Sequence, residues 1–286
     1  IQILDQPPTP LEFHRYVAAN RPVLIRNAMH HWPAFDRWQR DSYLVSALGA
    51  TTSVTVAATP NGYADAVVDG HWFAEPAERS MPFGDFIRTM RAELADESMQ
   101  YPGVHYVQSQ NGNLGGEFAP LAADVPADIE FATAALAKQP DAVNFWMGTG
   151  RSVTSLHKDP YENVYAVISG AKHFTLFPPT SQPCLYERLY ERARYDAATL
   201  ALVPAEPREL VPWIPIDPDC CPAREQYPCY HLARPLRVTV QPGEVLYLPS
   251  MWYHHVRQQG RTVAVNWWYD MEYGANYAYL MLVRGI

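Results

Sequence analysis

The fold of this chain is decided by one stretch near its middle, Ser155-Leu156-His157-Lys158-Asp159-Pro160-Tyr161-Glu162-Asn163-Val164-Tyr165-Ala166-Val167-Ile168-Ser169-Gly170. Its second half is a run of mostly apolar residues that ends at a glycine, which is typical of a β-strand. In its first half, His157 and Asp159 lie two positions apart, so their side chains leave the same face of an extended backbone. An imidazole and a carboxylate placed in this way can bind one metal ion, but two ligands do not complete a site.

A third ligand can come from a second stretch, Tyr247-Leu248-Pro249-Ser250-Met251-Trp252-Tyr253-His254-His255-Val256. Metal chemistry alone does not distinguish His254 from His255. Two histidines and one carboxylate on one face of an ion, with the other positions open, are typical of non-haem iron(II) oxygenases. The His-x-Asp triplet by itself is equally well explained by a surface histidine beside a solvated aspartate, so its context has to decide.

The composition is that of a globular protein with a sizeable core, since 48% of the 286 residues are hydrophobic and 13% are aromatic. The formal net charge of −8 gives no reason to expect nucleic acid or an anionic membrane as a partner. We find no run of about 18 apolar residues that predicts a membrane span, and no signal-peptide pattern at the N-terminus. Only four cysteines are present, which favours a reducing compartment: we expect the cytoplasm, with the nucleus as a second location.

Three of the four cysteines, Cys220, Cys221 and Cys229, lie close in sequence to His231. A zinc site is one interpretation of this group. However, Cys220 and Cys221 are adjacent, and the usual Cys-x2-Cys pair is absent. A surface loop is therefore the favoured interpretation.

Short β-like runs separated by glycine and proline dominate the chain from Asn144 onward. This pattern predicts a mainly β fold with flanking helices, of the sandwich or jelly-roll type. The predicted strands cover residues 144–149, 164–169, 173–177, 236–241, 245–248 and 262–269. We predict one integrated domain with four parts: an N-terminal α/β region that packs on and extends the barrel (1–135), the barrel core (136–272), a proline-rich irregular insertion within it (181–235), and a C-terminal helix (273–286).

Helical spacing of apolar residues predicts helices near both termini. Thr9 is the expected N-cap of the first one. A second begins near Pro82 and carries an apolar stripe of Phe83, Phe86, Ile87, Met90 and Leu94. The tail has the same spacing in Tyr273, Tyr277, Leu280 and Met281. This last helix is expected either to cover a sheet or to pair with a second copy, which would make a homodimer through the terminal elements.

A longer pattern surrounds the two ligand stretches and resembles the JmjC-domain 2-oxoglutarate oxygenases. The resemblance is strong over about residues 140–270 and weaker in the N-terminal region. It implies a double-stranded β-helix, the cupin-like jelly roll, with Fe(II) as the metal, 2-oxoglutarate as co-substrate and O2 as oxidant. Its Trp-x-His element also implies that His254, and not His255, is the third ligand. The pattern consists of His157-x-Asp159, Gly170-Ala171-Lys172, Leu176-Phe177-Pro178-Pro179, Pro242-Gly243-Glu244, Tyr247-Leu248-Pro249, Trp252-x-His254 and Val265-Asn266-Trp267-Trp268-Tyr269.

The same resemblance implies which residues bind 2-oxoglutarate. Lys172 would pair with the distal carboxylate, to which Thr154 and Tyr106 would donate their hydroxyl groups. Asn163 and Asn266 would make polar contacts near the metal-bound end. Because side chains alternate along a strand, Asn266 can point inward while Val265 packs outside. A buried cation is a suitable partner for that carboxylate, although a lysine in an exposed turn is the commoner general explanation.

Small JmjC chains without chromatin-reader domains resemble the protein hydroxylases of the family. The resemblance implies hydroxylation of a lysyl side chain in a translation-associated GTP-binding protein, with succinate and CO2 as co-products. An N-methyl-lysine demethylase is the first alternative, and a cupin-like binding protein without oxygenase activity is the second. Trp268, Asp270 and Glu272 are candidate substrate contacts, and Asp217 and Asp219 are further acidic candidates. Each acidic residue is equally well explained as a solvated loop carboxylate.

Overall fold

The computed structural model describes residues 1–95, 103–220 and 222–285 of the protein. Its helices lie mainly in the N-terminal half. Three short 3-10 helices cover Ala119–Asp124, Pro179–Ser181 and Tyr230–Leu232. None of the helices in the described ranges is long and apolar enough to cross a membrane. The α-helices are α1 (Pro10–Ala18), α2 (Pro33–Arg37), α3 (Asp41–Leu48), α4 (Phe83–Ala95), α5 (Glu130–Leu136), α6 (Gln182–Leu185) and α7 (Ala275–Arg284).

Strands form three sheets in the described residues. The first eight are β1 (Gln2–Leu4), β2 (Val23–Ile25), β3 (Ser53–Thr59), β4 (Tyr63–Ala64), β5 (Ala66–Val68), β6 (Trp72–Glu75), β7 (Ala77–Pro82) and β8 (Val104–Tyr106). The others are β9 (Ala142–Gly148), β10 (Val153–His157), β11 (Tyr161–Phe177), β12 (Arg188–Tyr195), β13 (Leu202–Pro204), β14 (Leu210–Trp213), β15 (Leu236–Val240), β16 (Val245–Leu248) and β17 (Tyr253–Asp270).

Two long strands, β11 and β17, pair antiparallel along their whole length and form the centre of a nine-stranded sheet. Each changes its second partner halfway. The first half of β11 pairs with β16 and the second half with β15, while β17 pairs first with β10 and then with β9. The register shifts between Val167 and Ala171, where Gly170 has φ +70° and a Cβ atom would lie 2.5 Å from the Arg261 carbonyl oxygen. A residue with a side chain is therefore unfavourable at this bend.

The two halves of the sheet face each other, as in a jelly roll. Apolar residues from both halves share one inner cluster, which includes Tyr165 and Leu246 from one half and Phe174 and Val238 from the other. The mainly β jelly-roll prediction is therefore confirmed.

The opposite face of the first half packs against α1 to α5 in a second, larger cluster. Val164, Val265 and Trp267 belong to it, together with Phe13 of α1 and Phe86 of α4. Because neighbouring residues of a strand point to opposite faces, this packing leaves the residues between them to point into the barrel. The helical region thus fixes which side chains of β11 and β17 face the interior.

Several predicted elements needed correction. Strands 164–169 and 173–177 are halves of the single strand β11, and 262–269 is the second half of β17. Thr9 is the N-cap of α1, as predicted, and forms a capping box with Glu12. On α4 the prediction for Leu94 is wrong, because Leu94 is exposed and its neighbour Glu93 is buried. The buried Glu93 carboxylate contacts His105 Nδ1 at 3.2 Å and accepts a hydrogen bond from the Thr149 hydroxyl group.

The prediction that residues 181–235 are irregular is also wrong. Strands β12, β13 and β14 lie in this segment and join β5 and β6 in a five-stranded sheet. β12 pairs in parallel with β6, which is more than 100 residues earlier in the chain. Pro204 and Pro212 lie on β13 and β14, which each pair only with β12. Edge strands tolerate proline, so proline content alone was misleading here.

Candidate metal and co-substrate site

Three predicted ligands come together where β10 ends and β17 begins. His157 is the last residue of β10 and pairs across the ladder with His254 of β17, and Asp159 follows two residues after His157. Asp159 Oδ2 lies 3.6 Å from His157 Nε2 and 3.4 Å from His254 Nε2. The two imidazole rings have their centroids 4.2 Å apart. Residues separated by almost 100 positions thus present three ligand atoms to one point.

The outer nitrogen of each histidine is held by the backbone. His157 Nδ1 lies 2.8 Å from the Ser155 carbonyl oxygen, and His254 Nδ1 lies 3.0 Å from the Trp252 carbonyl oxygen. A carbonyl oxygen only accepts, so each Nδ1 carries the proton and each Nε2 presents its lone pair. This is the orientation of metal-binding histidines, whose other ring nitrogen typically donates to a carbonyl or carboxylate.

The charges of the three side chains also suit a cation. Burial would raise the pKa of Asp159, but His157 and His254 outweigh it and hold that pKa well below its ordinary value. Burial lowers the pKa of His254, and the charge of His157 lowers it further. Burial also acts to lower the pKa of His157, but the Asp159 carboxylate reverses this and raises it. The carboxylate is therefore anionic, as a metal ligand must be.

The donor set and its spacing fit a transition-metal ion. Ligand atoms about 2.0–2.2 Å from one ion lie roughly 2.8–3.1 Å apart at the 90° angles of an octahedral site and roughly 3.3–3.6 Å apart at tetrahedral angles. The Asp159 oxygen lies 3.6 Å and 3.4 Å from the two histidine nitrogens, so the three side chains are close enough to share one ion and would draw together slightly to bind it octahedrally. Two imidazoles and one carboxylate on one side match the facial arrangement of non-haem iron(II) sites.

Lys172 lies deeper in the same barrel, on the second half of β11. Its side chain is 1% exposed, and its Nζ atom donates to the Tyr106 hydroxyl oxygen at 2.8 Å. The ammonium group lies over the rings of Tyr106, Trp146 and Tyr165, with centroids 5.1–5.6 Å away. Burial lowers the pKa of Lys172 to about 7, and no carboxylate of the described residues acts on it. Burying a cation among aromatic rings and one hydroxyl group costs free energy, and binding an anion there would offset that cost.

Two predicted amides lie between the metal ligands and Lys172. Asn266 Nδ2 donates to Asn163 Oδ1 at 3.1 Å, and Asn266 Oδ1 accepts from Trp146 Nε1 at 2.7 Å and from Asn144 Nδ2 at 3.3 Å. The alternation predicted for this strand thus places Asn266 inside and its neighbour Val265 in the helical core. These bonds fix which way each amide points.

One narrow cavity connects the two ends. The residues that were predicted to bind metal or co-substrate all line it, and so does Trp268. Trp268 stacks on Tyr161 with 4.7 Å between ring centroids, and its buried Nε1 has no hydrogen-bond partner among the described residues. The lining residues that were predicted from sequence are Tyr106, Thr154, His157, Asp159, Asn163, Lys172, His254, Asn266 and Trp268.

Asp270 and Glu272, the two acidic candidates for substrate binding, lie away from this cavity. Glu272 pairs with Lys138 at 2.6 Å on the surface, and the Lys138 Nζ atom also donates to the Asp270 carbonyl oxygen. Neither carboxylate lines the cavities that border the three ligand residues. Their surroundings are those of solvated surface groups.

Asp217 and Asp219 lie elsewhere again, with His255. Because His255 follows His254 in a strand, it points to the other face, where its Nε2 lies 3.5 Å from Asp217 Oδ1. Cys220 donates to the Asp217 carboxylate. The described residues place no cysteine in a group of three potential metal ligands, and Cys221 lies outside the described residues. The preference for a loop over a zinc site remains a prediction.

The sequence did not indicate the residues of a second, wider opening beside the metal ligands. This groove runs from His157 and Asp159 past Asp65, Phe73 and Trp213. Trp213 stacks almost parallel on the His157 ring, with 5.8 Å between centroids and 6° between planes. These residues come from β6, β14 and the turn before β5, and no local motif connects them with the His-x-Asp triplet.

Comparison with known proteins agrees with this geometry. A family model described as a cupin-like domain matches residues 8–275. The human protein named bifunctional peptidase and (3S)-lysyl hydroxylase JMJD7 is 47% identical over 290 residues, which cover 100% of this chain and 89% of the human protein. Lysine-specific demethylase JMJ32 of Arabidopsis thaliana is 40% identical, with 100% of this chain and 86% of that protein covered.

A third relative carries the family in its name. JmjC domain-containing protein E of Dictyostelium discoideum is 36% identical over 307 residues, covering 97% of this chain and 86% of that protein. All three relatives thus match nearly the whole chain, including both ligand stretches and the helical N-terminal region. The chain belongs to the cupin-like JmjC family.

Proposed function

We propose that this protein is an Fe(II)- and 2-oxoglutarate-dependent hydroxylase that acts on a lysyl side chain of a protein substrate. The observation that carries the proposal is the pair of sites in one cavity: three metal-type ligands at one end and the buried Lys172 ammonium group at the other. A small dicarboxylate with a chelating keto group can bridge such a pair. The 47% identity to a human protein named as a (3S)-lysyl hydroxylase supports the choice of lysine.

In this proposal, one group of residues binds the metal and a second group binds the co-substrate. His157, Asp159 and His254 would hold Fe(II) on one side and leave neighbouring positions open to co-substrate and O2. Lys172 would pair with the distal carboxylate of 2-oxoglutarate, and the Tyr106 hydroxyl group, whose oxygen accepts from Lys172 Nζ, would donate its own O–H to the same carboxylate. Thr154, which lines the same cavity, would supply a second hydroxyl donor.

The bound iron and 2-oxoglutarate supply oxidative chemistry that inserts one oxygen atom of O2 into a C–H bond and releases succinate and CO2. The chain contributes position and environment. The backbone carbonyls behind His157 and His254 fix both rings, and the Asn163–Asn266 pair presents amide groups between the metal ligands and Lys172. Aromatic side chains around Lys172 exclude water, so the ion pair with a carboxylate is strong there. No side chain is needed as a general base.

We further propose the partners that the family resemblance implies. The substrate would be a translation-associated GTP-binding protein, and the protein would work in the cytoplasm, with the nucleus as a second compartment. The excess of acidic residues in the chain suits a basic substrate segment and gives no support to nucleic-acid or membrane binding. A homodimer through the termini is supported by the exposed apolar residues Tyr279, Met281 and Leu282 of α7.

An N-methyl-lysine demethylase is the alternative, favoured by the name of the Arabidopsis thaliana relative, a lysine-specific demethylase at 40% identity. Both reactions use the same metal and co-substrate, so the metal ligands do not separate them. They differ in product, because hydroxylation adds one oxygen atom to the peptide whereas demethylation releases formaldehyde.

The test is to incubate the iron-loaded protein with 2-oxoglutarate and a cell lysate, and to map oxygen-bearing peptides by mass spectrometry. We expect a lysyl residue that gains one oxygen, succinate formed in proportion, and no formaldehyde. The Asp159→Ala protein is the control and should produce neither the oxygen-bearing peptide nor succinate. Formaldehyde without oxygen-bearing peptides would establish the demethylase, and unchanged 2-oxoglutarate would indicate a binding protein without oxygenase activity.

A further inference from the structure

We propose that Asp65 is the specificity residue that binds the ε-ammonium group of the substrate lysine, in a slot that Trp213 and Phe73 also line. The inference rests on the proposed function and identifies the part of the same site that selects the amino acid. It assigns the selection to a residue that neither the sequence pattern nor the family resemblance singled out.

The slot is the wide groove that opens on the metal ligands. It shares His157, Asp159 and Thr154 with the inner cavity, but the Lys172 ammonium group is not among its lining residues. The co-substrate end and the groove therefore approach the metal ligands from different sides. A substrate side chain that enters by the groove reaches the metal ligands without displacing what Lys172 binds.

One wall of the groove is aromatic and rigid. Trp213 stacks on His157 and also packs on Phe73, with 4.6 Å between the ring centroids of the latter pair. Trp213 Nε1 donates to Ser155 Oγ at 3.1 Å, and the Ser155 hydroxyl group donates to the Asp65 carbonyl oxygen. One serine thus connects the aromatic wall with the segment that carries Asp65. A flat apolar wall beside the metal ligands suits the methylene chain of a lysine.

Acidic side chains also line the groove, and their charges are not equally available. Glu75 lines the groove but is paired with Arg192 at 2.9 Å and with Arg194 at 3.1 Å. Lys158, which also lines the groove, is held by Glu187 at 2.6 Å. Within the described residues, no hydrogen bond or ion pair engages the partly buried carboxylate of Asp65, on which His157 and Arg194 act only at longer range. Glu78 also lines the groove but is exposed to solvent. Asp65 is therefore the unpaired, partly buried carboxylate of the groove, near His157, that an incoming cation can pair with.

A carboxylate at this place discriminates between forms of lysine. An unmodified ammonium group offers three N–H donors for charge-assisted hydrogen bonds, whereas a trimethylated one offers none. Recognition of quaternary ammonium groups typically uses a cage of aromatic rings instead of a single carboxylate. The slot therefore fits an unmethylated lysine, in agreement with a hydroxylase.

The backbone conformation at Asp65 allows a substitution that removes the charge without straining the chain. Asp65 has φ +52°, a left-handed conformation that asparagine also tolerates well. Asp65→Asn removes the charge and keeps both shape and backbone. Asp69→Asn is the matched control, because Asp69 has φ +53°, is exposed and does not line the groove.

The experiment uses a synthetic peptide centred on the lysine that gains oxygen in the lysate assay. Asp65→Asn should raise the KM for this peptide roughly tenfold to a hundredfold, as for the loss of a charged hydrogen bond, with iron content and KM for 2-oxoglutarate unchanged. Asp69→Asn should behave as the wild type. Calorimetric titration with the same peptide gives a second readout that does not depend on turnover. A norleucine peptide, which lacks the ammonium group, should bind the wild type as weakly as the lysine peptide binds Asp65→Asn.

The outcomes separate this inference from the proposed function. If the wild type hydroxylates the peptide and Asp65→Asn has the same KM and affinity, the assignment of Asp65 is wrong while the function stands. Equal loss of affinity in Asp65→Asn for the lysine and norleucine peptides would also overturn it, since the effect would not involve the ammonium group. A wild type that consumes 2-oxoglutarate but modifies no lysine would contradict both.

Discussion

His254 and His255 are adjacent in the chain but belong to two different clusters. On the inner face of β17, His254 meets His157 and the Asp159 carboxylate. On the outer face, buried His255 has its two ring nitrogens 3.5 Å from Asp217 Oδ1 and 3.8 Å from Asp219 Oδ2. Each cluster holds three side chains of the types that bind metal ions. Ligand type and spacing therefore do not separate the two clusters.

The two clusters differ in the charged groups that surround their carboxylates. Arg257 pairs with both Asp217 and Asp219, Arg237 lies 3.3 Å from Asp219, and the Tyr63 hydroxyl group donates to Asp217. The outer cluster is thus already neutralised by two guanidinium groups. In the inner cluster the carboxylate has only the two histidines as ion-pair partners within the described residues. A dication adds favourable charge to the inner cluster, whereas in the outer cluster it would have to displace arginines.

The largest expected effect comes from replacing the two adjacent histidines by alanine, one at a time. His254→Ala should lose stoichiometric iron and reduce 2-oxoglutarate turnover by about a thousandfold or more, because a missing ligand removes the ion that supplies the chemistry. His255→Ala should keep both iron content and turnover, measured on the folded protein, and should only lower the melting temperature. Loss of iron in both variants would show that the comparison between the two faces is wrong.

Lys172→Met should give the next largest effect, and in two directions. The KM for 2-oxoglutarate should rise roughly tenfold to a hundredfold, because the charged partner of a buried carboxylate is lost. The protein without co-substrate should become more stable by about 1–4 kcal/mol, since a buried ammonium group without an anionic partner is replaced by an apolar chain. Calorimetric and thermal unfolding measure this. The control is Lys158→Met, which breaks the pair with Glu187 and should not be stabilising. Destabilisation by Lys172→Met would contradict the view of Lys172 as a cation that waits for its ligand.

Stability and binding measured over a series of pH values test the same proposal, that Lys172 is a buried cation without an anionic partner. Burial holds the pKa of Lys172 near 7, below its ordinary value, so the folded chain binds fewer protons than the unfolded chain between about pH 7 and pH 10. This group should therefore make the free energy of unfolding rise with pH across that window. Binding of 2-oxoglutarate needs the charged form, so affinity should fall up to about tenfold per pH unit above 7, with proton uptake on binding. Titrations in buffers of different ionisation enthalpy should detect that uptake, and Lys172→Met should show none.

The smallest effect is expected on the outer face. Arg257→Gln removes the guanidinium group that pairs with both aspartates there. We expect this variant to bind a second equivalent of Zn(II) weakly, with a Kd of roughly micromolar to millimolar, whereas the wild type binds one equivalent. Titration calorimetry with Zn(II) measures the difference at equilibrium, because gel filtration would remove an ion bound this weakly. A wild-type protein that already holds two equivalents would break the comparison.

Local pattern was sufficient for much of the fold. Period-two alternation correctly placed Asn266 inside the barrel and Val265 outside it, and the Thr9 cap was visible from its neighbours. Long-range pairing was not visible, because a strand such as β12 finds its partner β6 more than 100 residues away. Burial in α4 also depended on a distant group, since Glu93 turns inward to meet His105.

The chain alone specified which chemistry is present: a His-x-Asp pair on one strand, a later histidine pair, and a lysine after a glycine bend. These follow from side-chain type and backbone periodicity, which are local properties. The folded molecule decided between the two histidines on geometric grounds, buried Lys172 among aromatic rings, and placed Asp65 in the same groove as Trp213. Such choices depend on which distant side chains neutralise or desolvate a group, and that environment exists only once the strands have packed.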